Sequence, residues 1–153
     1  MPWNALHTSD RLLLSHKLHY RDLRRFLDQL QWSLEHASGS VRLYAELLKL
    51  TPGDEEAFEL ERLLQQEVKH YALMEELYLE LKGSEPDVYP AVPRFTTYRE
   101  GLQEAVRMER EAIRQYRDTY LLTPSPRIRD VFFLAMSDGV DQLATLFLLT
   151  QQI

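Results

Sequence analysis

Cysteine is absent from the 153 residues of the chain. Its absence excludes a disulfide framework, thiolate zinc sites and cysteine nucleophiles. Basic residues are also in the minority, because 18 Lys and Arg stand against 24 Asp and Glu and leave a net charge of −6. The basic residues are interspersed with acidic ones, so we do not expect nucleic acid as a partner.

Uninterrupted hydrophobic runs are scarce as well. The first ten residues have no apolar core of the kind that signal peptides carry. The longest apolar stretch, from Val131 to Leu149, has the length of a membrane span but contains Asp138, Asp141 and Gln142. We therefore interpret it as a helix of a protein core, and expect a cytoplasmic protein without a membrane partner.

The few glycines and prolines are grouped, and the groups divide the chain. One break lies at 51–54, a longer one with three prolines lies between Gly83 and Arg94, and a third lies at 123–126. The intervening segments predict four helices over 20–50, 55–82, 96–122 and 127–150. Asp54 is the expected N-cap of the second helix. We predict one domain, 20–153, preceded by an N-terminal arm, 1–19.

The lengths of the connections predict the topology. Short links join helices one and two and helices three and four, so each pair is expected to form an antiparallel hairpin. The middle link of about twelve residues can extend to roughly 40 Å, the length of a helix of about 28 residues. The prediction is an all-α, ferritin-like antiparallel four-helix bundle, with two helical hairpins joined by one long crossover.

The inward faces of these helices are apolar apart from a few residues near the middle of the bundle. In helix two, alternating steps of three and four lead from Leu63 through Glu67 and His70 to Met74. The polar side chains on the four inward faces are Tyr44, Glu67, His70, Glu109, Tyr116 and Gln142. Burying such groups without partners costs several kcal/mol, so a metal ion, a partner charge or a hydrogen-bond network is expected here.

The spacing of these residues resembles the rubrerythrin-type members of the ferritin-like superfamily, and in particular the small ferritin-like proteins of spore-forming bacilli. In that family helices one and three carry Glu-x-x-Ala-x-x-x-Tyr, helices two and four carry Glu-x-x-His, and six side chains hold two iron ions. Helix three matches with Glu109, Ala112 and Tyr116, and helix two matches with Glu67 and His70. The resemblance implies oxidase or peroxidase-like iron chemistry, and an association with sporulation.

Three of the six ligands that the resemblance implies are missing. Ala37 and Gly139 stand where the family has glutamates, and Gln142 stands where it has a histidine. The residues that flank these positions are Glu35, His36, Asp138 and Asp141. Each is rotated away from the inward face by about 100° or more, so none is the expected substitute. We expect Asp138 to accept a hydrogen bond from a ring N–H of a ligand histidine, and close packing or a ring of Tyr44 or Tyr116 to fill the space beside Gly139.

The remaining metal donors, Glu67, His70 and Glu109, are too few for a two-iron centre, which uses around four carboxylates and two imidazoles. The first alternative is no metal, with these residues hydrogen-bonded to Gln142 and to buried water, and with Tyr44 and Tyr116 donating to the carboxylates. The second is one divalent ion, either Fe, Mn or Zn. A full di-iron centre built from unorthodox ligands is the third and least expected.

Two classes of function follow from these alternatives. The preferred interpretation is a protein with a degenerate di-iron site and a non-catalytic structural or interaction role, and we assign no catalytic residue. The alternative is a metal-dependent oxidase, a peroxidase-like enzyme or an iron-binding protein. Helix four is apolar around much of its circumference, so we expect a homodimer.

Overall fold

Four long helices make up nearly all of the computed structural model, which describes residues 20–153 apart from 92 and 124, with side chains from 23 onward. They are α1 (Tyr20–Leu48), α2 (Asp54–Lys82), α3 (Tyr98–Leu122) and α4 (Pro126–Gln151). The predicted helices are confirmed, with ends that differ by at most two residues. The predicted arm, 1–19, lies outside the described residues.

The ends of the helices follow local chemistry. At the start of α3, Thr97 accepts a hydrogen bond from the backbone N–H of Glu100, and Glu100 accepts one in return from the N–H of Thr96. Gly83 ends α2 in the left-handed conformation, with φ of 77°, and its N–H bonds to the carbonyl of Leu79. The prediction for Asp54 was wrong: it is the first residue of α2, and Gly53 occupies the N-cap position.

Hydrogen bonds between helices define the topology. The hairpins α1–α2 and α3–α4 make the most extensive contacts, while α1 also packs on α3 and α2 on α4. Between α1 and α3, Thr119 bonds to Gln29 and Tyr44 bonds to Glu109, so these helices run antiparallel. The segment from 83 to 97 therefore crosses from one end of the bundle to the other, as the connection lengths predicted.

The core consists of two apolar clusters with a polar layer between them. One cluster surrounds Phe26 and Phe132, whose rings meet edge to face at 6.2 Å. The other surrounds Leu47 and Leu146 at the opposite end. The intervening layer holds the inward polar residues of α1 to α4.

Within the described residues, α4 has the length and the composition of a membrane span, with a mean hydropathy of 1.4 over its most apolar window. Core helices of bundles also meet these two criteria. In this bundle one side of α4 is buried, and Ile128, Phe132 and Leu146 contribute fully buried side chains to the core.

Candidate functional site

The polar layer brings together residues from all four helices. Its members are Tyr44 on α1, Gln66, Glu67 and His70 on α2, Glu109 and Tyr116 on α3, and Asp138 and Gln142 on α4. Glu67, His70, Glu109 and Gln142 are each no more than 2% exposed. Helical periodicity places them here because each occupies the inward phase of its own helix.

The amide of Gln142 lies between the two buried carboxylates. With its NH₂ group turned toward them, the amide nitrogen is 3.0 Å from Oε1 of Glu67 and 2.9 Å from Oε1 of Glu109. The opposite orientation would aim an amide oxygen at two carboxylates, so the turned orientation satisfies more groups. The other end of the amide lies 2.9 Å from the amide of Gln66. Gln142 thus links α4 to both α2 and α3.

His70 is held between two acidic residues. Its Nε2 atom lies 2.8 Å from Oδ2 of Asp138, and its Nδ1 atom lies 3.7 Å from Oε2 of Glu67. The second distance is too long for a hydrogen bond and is a contact between charges. Burial lowers the pKa of His70, but the two acidic neighbours outweigh burial, so that the pKa is raised. The ring therefore stays protonated to a higher pH than a free imidazole does.

The surroundings of Glu109 disfavour the charged form of its carboxyl group. Burial, followed by the negative charge of Glu67, raises its pKa well above the ordinary value, although a hydrogen bond from Tyr44 works in the opposite direction. The Tyr44 hydroxyl donates to Oε2 of Glu109 at 3.3 Å. Burial also raises the pKa of Tyr44 and Tyr116 well above 10. The layer therefore tends to hold an additional proton on Glu109.

Tyr116 differs from the expectation, whereas Gly139 meets one of the two alternatives expected for it. No hydrogen-bond partner of the Tyr116 hydroxyl is found among the described residues, and its ring packs against Phe132 at 5.9 Å. Beside Gly139 the space is filled by Glu109 and Ile113, which lie 3.0 Å from where a Cβ atom would stand. Of the two alternatives expected at this position, close packing is the one observed, because Glu109 and Ile113 fill the space that a tyrosine ring would need.

Of the four flanking residues, Asp138 belongs to the layer, and the other three lie outside it. Asp141 is exposed and pairs with Arg62 at 3.1 Å. Glu35 accepts a hydrogen bond from Gln31, and His36 stacks on Trp32 with ring centroids 4.7 Å apart. None of the three enters the layer.

Sequence reasoning missed two polar features. Gln66 joins the layer through its contact with the amide of Gln142, and it was not among the inward polar residues predicted from the sequence. The guanidinium of Arg127 at the start of α4 is buried and pairs with Glu76 and Glu80 of α2. The spacing of four between those two glutamates was the available signal for a cation at that end of the bundle.

The donor set does not fit two iron ions. Ala37 and Gly139 offer no donor, and Gln142 offers a neutral amide that already bridges the remaining carboxylates. Within the described part of the chain, no group of three acidic or histidine side chains is arranged to hold a metal ion. Three atoms of the layer are nevertheless buried without a hydrogen-bond partner there, namely Oε2 of Glu67, Nδ1 of His70 and the hydroxyl of Tyr116.

Comparison with solved structures supports this architecture. The bacterioferritin-related protein of Bacteroides fragilis, described as a dodecameric thioferritin, has a TM-score of 0.77 and 18% identity over 92% of this chain and 90% of its own. A ferritin-like, diiron-carboxylate protein of Bacillus anthracis str. Ames has a TM-score of 0.75 and 16% identity over 87% of this chain and 99% of its own. This chain has the ferritin-like four-helix bundle fold. No family model and no curated protein matches it.

Proposed function

We propose that this protein is a ferritin-like bundle with a degenerate di-iron site, and that it serves a non-catalytic structural or interaction role. The observation that carries the proposal is the Gln142 amide, which lies within 3.0 Å of oxygen atoms of both Glu67 and Glu109. A bridging ion of a carboxylate centre would have to contact the same two carboxylates. The amide occupies that bridging role with hydrogen bonds that need no ion.

The charges of the layer support the same proposal. A protonated His70 balances Glu67, and the raised pKa of Glu109 lets this carboxyl group keep its proton. Asp138 is partly exposed to solvent, which supports its negative charge. The layer can therefore approach neutrality through protons alone, whereas di-iron centres rely on metal charge to hold several carboxylates together.

Elemental analysis tests this proposal. The protein is expressed, exposed separately to Fe(II), Mn(II) and Zn(II), desalted, and its metal content is measured per chain. We expect substoichiometric metal in each case. A matched control restores the three missing donors as Ala37→Glu, Gly139→Glu and Gln142→His, and should gain bound metal. Two iron ions bound by the unmodified chain would contradict the proposal.

A second candidate function is the binding of a single divalent ion. The observation that favours it is the pair of buried atoms without hydrogen-bond partners, Oε2 of Glu67 and Nδ1 of His70, which lie 3.7 Å apart. An ion between them would satisfy both atoms. One ion per chain that is lost in Glu67→Ala would favour this candidate over the metal-free layer.

The proposal also includes the oligomeric state of the protein and its association with spores. The neighbour from Bacteroides fragilis is dodecameric, and its likeness supports assembly of this chain into an oligomer, for which we propose a homodimer. The resemblance to proteins of spore-forming bacilli supports a spore-associated role. Comparing the amount of the protein in spores and in growing cells tests that role.

A further inference from the structure

The outward face of α4 is apolar along most of its length. Its outermost residues repeat at spacings of four and three and are Phe133, Ser137, Val140, Ala144 and Phe147. We name these five residues the α4 stripe. Phe133, Val140 and Phe147 are 55%, 56% and 49% exposed, so each large side chain presents about half of its surface. A contiguous row of half-exposed large hydrophobic side chains, unlike a single one, is typical of an interaction surface.

The α4 stripe differs from the outward faces of the other helices in having no charged residue. α3, for example, exposes Arg110, Arg114 and Arg117. The nearest acidic group beside the centre of the stripe is Asp141, which is already paired with Arg62 at 3.1 Å. A partner that covers the stripe therefore meets no unpaired charge at its centre, and does not need charges of its own.

The order of side-chain sizes in the α4 stripe is self-complementary. Large residues at 133, 140 and 147 alternate with the small residues Ser137 and Ala144. When a second stripe runs antiparallel about a two-fold axis near residue 142, Val140 meets Ala144 of the second copy and Phe147 meets its Ser137. The antiparallel arrangement also opposes the two helix dipoles. Val140 and Phe147 then face small side chains, while Phe133 faces Gln151 near the end of the second helix.

We propose that the α4 stripe is the interface of a two-fold symmetric dimer of this chain, with the two α4 helices packed antiparallel. This inference deepens the interaction role proposed above and gives it a partner. Each half-exposed Phe offers on the order of 100 Å² of apolar surface, and the stripe together with Leu148 offers roughly 400 Å². That is about half of what one partner buries in an interface of standard size, so we expect a dimer that dissociates on dilution.

Sedimentation velocity of the full-length protein from about 1 μM to about 500 μM, a range that covers weak association, tests the proposal. We expect the weight-average mass to rise from one chain to two. Val140→Lys should raise the dissociation constant at least about tenfold, because two ammonium groups would meet near the axis. The matched control is Val68→Lys on α2, where the valine is 43% exposed, and it should leave dimerisation unchanged.

A mixing experiment tests the two-fold symmetry. Val140→Lys and Val140→Glu should each be impaired alone and should associate when mixed, since residue 140 lies near its counterpart across the axis. Circular dichroism establishes that each variant keeps its helices. The metal content of Val140→Lys, measured as above, should equal that of the unmodified chain, so a failed dimer interface and a failed metal-free layer give different results.

Several results would overturn the dimer. A chain that is monomeric at all concentrations would do so, as would equal effects of Val140→Lys and Val68→Lys. Flotation of the unmodified protein with liposomes of phosphatidylcholine and phosphatidylglycerol, abolished by Val140→Lys, would assign the stripe to a membrane surface. A monomer whose melting temperature falls much further in Val140→Lys than in Val68→Lys would mean that a segment of the same chain covers the stripe.

Discussion

Replacing Glu109 by Gln should stabilise the protein, and the gain should grow with pH. The pKa of Glu109 is raised above its ordinary value of 4.5, mainly by burial and by Glu67. The folded protein therefore binds a proton at Glu109 more tightly than the unfolded chain does. This contribution to stability is complete below about pH 4.5 and is lost as the pH rises through the raised pKa. Glu109→Gln removes that loss.

The geometry of the layer sets the magnitude. Oxygen atoms of Glu67 and Glu109 lie within 3.0 Å of the same Gln142 nitrogen, so they are no more than about 6 Å apart. At that separation and an effective dielectric constant of about 20, two full negative charges repel each other by about 3 kcal/mol. In Glu109→Gln, neutral hydrogen bonds replace the hydrogen bonds of the charged carboxylate, which lowers the unfolding free energy by about 1 kcal/mol. We expect a net gain of about 2 kcal/mol at alkaline pH.

Urea denaturation followed by circular dichroism at about pH 5, about pH 7 and about pH 9 measures this gain through the pH dependence of the unfolding free energy. The control is Glu111→Gln on the same helix, where the exposed carboxylate pairs with Arg107 at 3.2 Å. That control should change stability by less than about 0.5 kcal/mol at each pH. A gain of about 2 kcal/mol should move the melting temperature by about 4–8 °C.

A loss of stability in Glu109→Gln at every pH would refute this reasoning. Such a result would mean that the carboxylate at 109 is charged and is stabilised by a cation. If the variant and the unmodified protein showed the same dependence on pH, the titrating group would have to lie elsewhere. Repeating the measurement after exhaustive chelation then separates a bound metal ion from the positive charge of His70.

Three further substitutions test other parts of the structure by thermal and urea denaturation. His70→Leu leaves Glu67 and Asp138 without their partner and should lower the unfolding free energy by about 3 kcal/mol near pH 6. Because the pKa of His70 is raised from 6.5, this loss should shrink at pH values above the raised pKa. Equal losses of stability below and above that pKa would contradict the prediction. Gly101→Ala adds a methyl group that overlaps Leu47 and Phe95 and should cost about 1–3 kcal/mol, whereas unchanged stability would mean that these side chains can move. Gly83→Ala has free space around its Cβ atom but a φ of 77°, so it should cost about 1 kcal/mol through backbone strain alone, and no loss would show that the helix ends differently.

The helices and the inward phase of the layer were predictable because both depend on periodicity. Glu67, His70 and Glu109 each replace an apolar residue at a spacing of three or four, so helical geometry alone directs them to the core. The breaks were predictable because proline cannot donate a backbone hydrogen bond inside a helix. The periodicity of apolar residues and the positions of the prolines can each be read from a single segment of the chain, without knowing how the helices pack.

The geometry of the contacts across the layer could not be predicted in full, because it depends on side-chain conformations and on the offset between helices. Hydrogen bonds of Gln142 to Glu67 and Glu109 were expected, but its contact with Gln66 follows from the offset of α2 and α4. Gly139 was compatible with close packing or with a tyrosine ring, and the structure has close packing by Glu109 and Ile113. A single sequence records neither the offset nor the rotamer.

The polar layer has a consequence for the fold that does not require a metal. It separates two apolar clusters, and sliding α4 by one turn against α2 would separate Gln142 from Glu67 and Asp138 from His70. Such a slip is much less costly in a uniformly apolar core. One arrangement of α2, α3 and α4 satisfies the amide of Gln142 and the ring of His70 together, so these residues select the register of the helices.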